Sequence, residues 1–188
     1  IIYKYINMLL LFTILLILYL NINHYFKNLI TIKSDVNNVE YTVQDTENKK
    51  INANTLASIS RRIQLLINYC KRQVHHSEMK PAIERLCKFN PNNISQNVKK
   101  TSSTSYSINK GEHIVLCLRS RDGQNRVHEI NTIMYVVLHE LAHVMSVSIG
   151  HTEEFYSNFR YIINKAIECN VYKVENKMKR YCGLDVQV

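Results

Sequence analysis

The chain opens on a stretch with no amphipathic rhythm at all. From Met8 to Leu20 the sequence MLLLFTILLILYL carries no charge, and apolar character runs loosely from Tyr5 to Ile22. A helix that spans a bilayer takes about 18–20 apolar residues, a length reached here only with Asn7 and Asn21 at the margins. A cleavable signal peptide has an apolar region about this short, but Asn21-Ile22-Asn23-His24-Tyr25 offers no small-x-small site. The preferred reading is an uncleaved single-pass anchor over residues 1–23. Lys4 before it and Lys27 and Lys33 after it place the bulk of the chain in the cytosol by the positive-inside rule. Residues 24–50 are rich in Asn, Asp, Thr and Lys, and predict a polar tether.

Beyond the tether the periodicity becomes helical. Leu56, Ile59, Ile63, Leu66, Ile67 and Cys70 lie along one stripe, predicting a helix over 51–73. Pro81 suits the first turn of a short helix reaching Cys87 or Lys88, and the polar run 90–103 reads as loop with at most a short strand. The period then shifts to that of strands: Tyr106-Ser107-Ile108, a turn at Asn109-Lys110-Gly111, and His113 to Leu118 form a hairpin. A helix from Asn131, as N-cap, to Ile149 stops at Gly150. The last long helix starts near Thr152, with Phe155, Phe159, Ile162, Ala166 and Cys169 on its core stripe. Helices with one short antiparallel sheet make this an α+β domain, residues 51–188, behind an anchor and a tether.

Composition narrows the class only a little. Apolar residues make up 46% of the chain, enough for a core, and four Gly and two Pro among 188 residues exclude collagen-like and low-complexity chains. The net charge of +9 admits nucleic acid or an anionic membrane as partner. The basic residues are scattered, however, and nucleic acid is not the favoured partner. Five widely spaced cysteines without a C-x-x-C pair argue against a zinc ribbon and a thioredoxin-like site.

The chemistry is concentrated in His139-Glu140-Leu141-Ala142-His143. At about 100° per residue, positions four apart differ by about 40°, so both imidazoles project from one face, one turn apart. Such a pair can hold one Zn²⁺, with Glu140 placed to take a proton from a water that the ion activates. Histidines and a glutamate in so apolar a helix are costly to bury unpaired, and a metal satisfies them. A zinc peptidase needs a third ligand and an open fourth position. His151, directly after Gly150, is the first candidate. Glu153 and Glu154 compete, although acidic residues in a first helical turn also serve the helix dipole.

The segment LHELAHVMSVSIGHTEEF resembles the small zincin peptidases of the WLM and SprT-like groups. The longer set TSYSINKGEHIVLCLR, NTIMYVVLHELAHVMS, GHTEEF and YCG resembles a membrane-anchored metallopeptidase family of large nucleocytoplasmic DNA viruses. The resemblance covers roughly residues 51–184 and is strongest from Thr104 to Phe159. It implies a zincin fold, His139, His143 and His151 as zinc ligands, Glu140 as general base, and a virion or host-cell membrane as location. The seven residues between His143 and His151 exceed the five of the shortest WLM-like spacing.

Other positions are less distinctive. In zincins an edge strand above the metal helix holds substrate by main-chain pairing; the 112–118 strand fits this role, and Ile114, Leu116 and Leu118 fit a core role equally well. Tyr106 is a candidate oxyanion support, with packing as the alternative. His75, His76, His113 and His128 lack ligand spacing and read as surface residues. Cys182 reads as a buried thiol, or as a disulfide partner of Cys70 or Cys87. The sequence thus predicts a membrane-tethered zinc endopeptidase acting on a protein or peptide. The runners-up are a protease for DNA-crosslinked proteins and a non-catalytic virion membrane protein with a structural zinc site.

Overall fold

In a computed structural model the chain is described at residues 2–26, 28–73, 78–97 and 104–188. Five helices are present among them: α1 (Ile2–Phe26), α2 (Lys49–Gln73), α3 (Lys80–Leu86), α4 (Ile130–Met145) and α5 (Glu153–Glu168). Seven short strands form three small sheets. These are the hairpin of β1 (Leu29–Lys33) and β2 (Glu40–Gln44), the three-stranded sheet of β3 (Ile94–Gln96), β4 (Tyr106–Ile108) and β5 (His113–Leu116), and the hairpin of β6 (Met178–Tyr181) and β7 (Leu184–Gln187). The fold is mixed α+β, but the single antiparallel sheet expected is instead three small sheets, one of which contains a parallel pair.

The core forms where the apolar stripes of α2 and α4 meet the sheet and α5. Leu56, Ile59, Ile63 and Leu66 of α2, Ile114 and Leu116 of β5, and Ile133, Val137, Leu138 and Leu141 of α4 are all fully buried. In the three-stranded sheet β5 is central, parallel to β3 on one side and antiparallel to β4 on the other. The 113–118 segment is therefore core, with Ile114, Leu116 and Leu118 buried, and the exposed edge belongs to β4.

Two expectations are corrected here, and a third finds no support. The stretch 24–50 is not a tether: β1 and β2 pair antiparallel from Leu29↔Gln44 to Lys33↔Glu40, and β2 packs on α2. The alternation that drives this is short. Tyr41 and Val43 point inward and are buried, with Glu40, Thr42 and Gln44 between them less so, and the polar excess around them hid the pattern. Second, α4 ends at Met145, before the expected stop at Gly150. Ser146 turns extended, its hydroxyl donates back to the Ala142 carbonyl at 2.7 Å, and Asn158 of α5 donates to that hydroxyl at 2.9 Å. Third, among the described residues no helix is long and apolar enough to cross a membrane, so the expected transmembrane helix finds no support. The uncharged run Met8–Leu20 is short of a span. What α1 does show is a row of large apolar side chains, including Leu9, Phe12, Leu15 and Tyr19, left exposed.

Candidate functional site

His139 and His143 sit four residues apart on α4, and the loop 146–152 brings His151 back over them. The three imidazole centroids form a near-equilateral triangle, 5.0 Å for His139–His143, 4.9 Å for His139–His151 and 5.0 Å for His143–His151. The Nε2 atoms of His139 and His151 are 3.0 Å apart, and the three donor atoms all lie within 4.8 Å of one another. Zinc–nitrogen bonds of about 2.0–2.1 Å in a tetrahedron separate ligand nitrogens by about 3.3 Å. Three imidazoles facing one point at this spacing therefore fit a single small cation. Burial pushes the His139 imidazole down to about 4, with His143 and His151 adding to the effect; His143 is lowered by burial and then by His151. Neutral imidazole is the form that binds metal.

Phe155, 1% exposed, stands behind the triplet with its ring centroid 4.9 Å from His139, 4.3 Å from His143 and 4.7 Å from His151. Its place follows from the start of α5, where the Thr152 side chain accepts from the Phe155 N–H and fixes the first turn. One core residue thus limits the freedom of all three rings.

Glu140 is 6% exposed and lies on the adjacent face of α4, against the edge strand β4. Burial raises its carboxyl to about 7, while Ser107, hydrogen-bonding through main chain and hydroxyl, works in the opposite direction. Burial of a carboxyl beside a metal-competent triplet is the environment of a group that exchanges protons near neutral pH. Because Ser107 faces Glu140 and strand side chains alternate, Tyr106 and Ile108 point to the other face of β4. Tyr106 is thus not brought to the site. Nor is Glu154: its carboxylate accepts from the Val147 and Ser148 N–H groups at 2.8 and 2.9 Å, and Arg85 lies 3.3 Å away. These bonds hold it well below the usual carboxylate range, at about 2. Arg85 Nε also donates to the Met145 carbonyl at 2.6 Å. The two residues clamp the loop that carries His151.

Other titratable residues depart from expectation. His113 and His128 are half-buried rather than on the surface. His113 Nε2 is 2.7 Å from the Ser95 hydroxyl, and His128 Nε2 lies 3.2 Å from Cys182 Sγ. His75 and His76 lie outside the described residues. Cys182 is neither a free thiol nor a partner of Cys70 or Cys87; it is bonded to Cys117, with a Cα–Cα distance of 6.4 Å. Nothing in the linear spacing points to Ser107, Arg85 or the Cys117 pairing, because each depends on a contact between distant segments.

The chain is similar to known proteins in sequence and in fold. The chain is 39% identical over 158 residues to uncharacterized protein R325 of Acanthamoeba polyphaga mimivirus, covering 81% of this chain and 80% of that one. It is 27% identical over 163 residues to uncharacterized protein 136R of Invertebrate iridescent virus 6, covering 81% and 86%. Among solved structures, Wss1 from Saccharomyces cerevisiae has a similar fold, with a TM-score of 0.53 at 20% identity over 69% of this chain and 88% of that one. The WLM domain model matches residues 35–185, a span that takes in β2, the histidine triplet and β6, and the chain therefore belongs to the WLM family of metalloprotease-like domains.

Proposed function

We propose that the protein is a zinc-dependent endopeptidase, with His139, His143 and His151 as metal ligands and Glu140 as general base. The observation that carries this is the convergence of three imidazoles beside one buried carboxylate. Zinc held there supplies Lewis acidity, lowering the pKa of a water and polarising the scissile carbonyl. The chain's own residues do the rest. Glu140, next to the triplet on the sheet side, takes the water's proton as it attacks and delivers it to the leaving amine. Ser107 orients the carboxylate by its two hydrogen bonds. The free edge of β4 pairs with an extended substrate main chain, laying the peptide alongside α4. Replacing Glu140 by Gln keeps shape and metal but removes the base. Turnover of a peptide should fall about 10²–10⁴-fold with zinc content unchanged, and wild-type turnover in that variant would exclude the mechanism.

A second reading is favoured by the WLM resemblance and by the chain's net charge of +9. It is proteolysis of proteins crosslinked to DNA. Arg121, Arg126, Lys179 and Arg180 border one cavity of about 590 Å³ and give this reading a surface. Salt-dependent binding of the full chain to DNA, with a steep fall in affinity as salt rises, separates it from a general peptidase. A purely structural zinc site is disfavoured by Glu140, since such a site has no use for a buried base. Membrane tethering at a virion or host-cell membrane is part of the proposal too. Its support is the exposed apolar side chains of α1. Alkaline carbonate extraction tests it: a membrane-inserted α1 keeps the chain in the pellet, and release into the supernatant counts against an anchor.

A further inference from the structure

Cys117 follows β5, His128 precedes α4, and Cys182 sits in the β6–β7 turn, yet their ligand atoms lie within 4.8 Å of one another. Both sulfurs also face the Arg119 carbonyl oxygen, at 3.4 Å from Cys117 and 3.3 Å from Cys182. His128 is held by its neighbours: its main-chain N–H donates to the Leu118 carbonyl at 2.9 Å, its imidazole is hydrogen-bonded to the Arg119 carbonyl, its ring lies 4.9 Å from that of Tyr181, and its Nε2 accepts from the Cys182 N–H at 3.3 Å. Two sulfurs, an imidazole nitrogen and a carbonyl oxygen therefore meet at one point. Two thiolates and an imidazole are a donor set suited to zinc.

We propose that Cys117, Cys182 and His128, with the Arg119 carbonyl completing the set, form a second metal site that opens on reduction of the Cys117–Cys182 bond and takes zinc. The step balances with a dithiol reductant. It supplies two electrons and two protons, the sulfur–sulfur bond breaks, two thiols form, and the reductant closes to its own disulfide. Metal binding then releases both thiol protons. The cavity of about 590 Å³ bordered by His128 and Cys182 gives both reagents access. Three of its four basic residues are paired with carboxylates, Arg126 with Asp122, Lys179 with Glu129 and Glu175, and Arg180 with Asp185, which lessens their repulsion of a cation. The disulfide under oxidising conditions and the metal under reducing ones would each hold the C-terminal hairpin to the end of β5. The hairpin carries Tyr181, whose hydroxyl is 2.9 Å from the Ser105 hydroxyl at the start of β4, so the clamp also supports the edge strand beside Glu140.

Cobalt(II) tests this without reliance on peptidase activity, because only a thiolate site gives a sulfur-to-cobalt charge-transfer band in the near ultraviolet. The full chain, stripped of metal and reduced with a phosphine, should develop that band on titration with Co²⁺, and the oxidised chain should not. The band should persist in His143→Ala and vanish in Cys182→Ser. His128→Ala retains the disulfide, so it can be purified folded and oxidised before reduction, and its cobalt affinity should fall by at least roughly tenfold. No band in the reduced wild type, an undiminished band in Cys182→Ser, or wild-type affinity in His128→Ala would overturn the proposal.

Discussion

The histidine triplet and the Cys117–Cys182–His128 cluster are built in opposite ways. Two of the three histidines share one helix at a spacing of four, and the third is eight residues beyond. The helix itself sets the first pair, and a short loop has only to return the third. The sulfur cluster joins positions 65 apart and exists only when the β6–β7 hairpin is docked. Local spacing makes the first cluster robust to changes elsewhere and visible in the sequence. The second is a product of tertiary structure and is invisible until the chain is folded. Four substitutions or treatments sharpen this contrast.

The largest effect is expected at His151, the one member of the triplet not fixed by α4. Its removal leaves two nitrogens on one helix face. His151→Ala should weaken zinc binding by about 100-fold or more, since even outer-shell changes cost about 10–100-fold. Competition against a chelator measures it, with an unchanged disulfide as the control for folding. If His151→Ala binds zinc like the wild type, the triplet is not the ligand set.

Phe155 should come next. Truncating a buried phenylalanine to alanine costs about 3–5 kcal/mol, and here the lost ring also backs all three imidazoles. Phe155→Ala should therefore lower thermal stability and, in the fraction that folds, loosen zinc binding as well. Phe155→Leu should recover most of the stability but less of the affinity, which separates packing from ring support.

Breaking the Cys117–Cys182 bond in metal-free protein should cost about 2–4 kcal/mol, the usual range for a bridge that closes a long loop. The loss should be read as a fall in denaturant midpoint on reduction, and the triplet should keep its zinc affinity. Loss of both together would show that the two clusters are coupled rather than independent.

The same division explains how much of the fold and site is legible in the sequence. The 25-residue α2, the β4–β5 hairpin and the start of α5 follow from long periodic patterns or from turn and cap residues. So does the projection of His139 and His143. The β1–β2 hairpin is hidden because only Tyr41 and Val43 mark its inward face amid polar neighbours. The end of α4 is not legible because Gly150, with φ of 84°, signals a turn, while the actual termination rests on Ser146 bonded to Asn158 of another helix. Anchor-like composition in α1 was plain, but composition alone does not say what covers an apolar helix. Ser107, Arg85 and Cys117 acquire their roles only through contacts across the fold.

Glu154 tests the contrast on its finest scale, because the sequence offers it as a rival ligand and the structure turns it into a loop clamp. Its carboxylate takes two loop N–H groups and faces Arg85, all in the segment that returns His151 to α4. Glu154→Gln can keep one acceptor oxygen but loses the charge. With the side chain about a third exposed, solvent screening reduces the expected cost to about 1 kcal/mol. Zinc affinity should fall only slightly, far less than for His151→Ala. The pH dependence has a definite sign. The folded carboxyl is depressed to about 2 from an ordinary 4.5, so the folded state binds the proton less well than the unfolded chain does. Its stabilisation is complete above about pH 5 and is lost as pH falls through the acid range toward 2. The stability gap between metal-free wild type and Glu154→Gln should therefore be constant at neutral pH and close progressively from pH 5 downward. Thermal melts of both across that range decide it. A gap that stays open at pH 2 would remove its role as the clamp, and zinc loss in Glu154→Gln as large as in His151→Ala would return Glu154 to the ligand set.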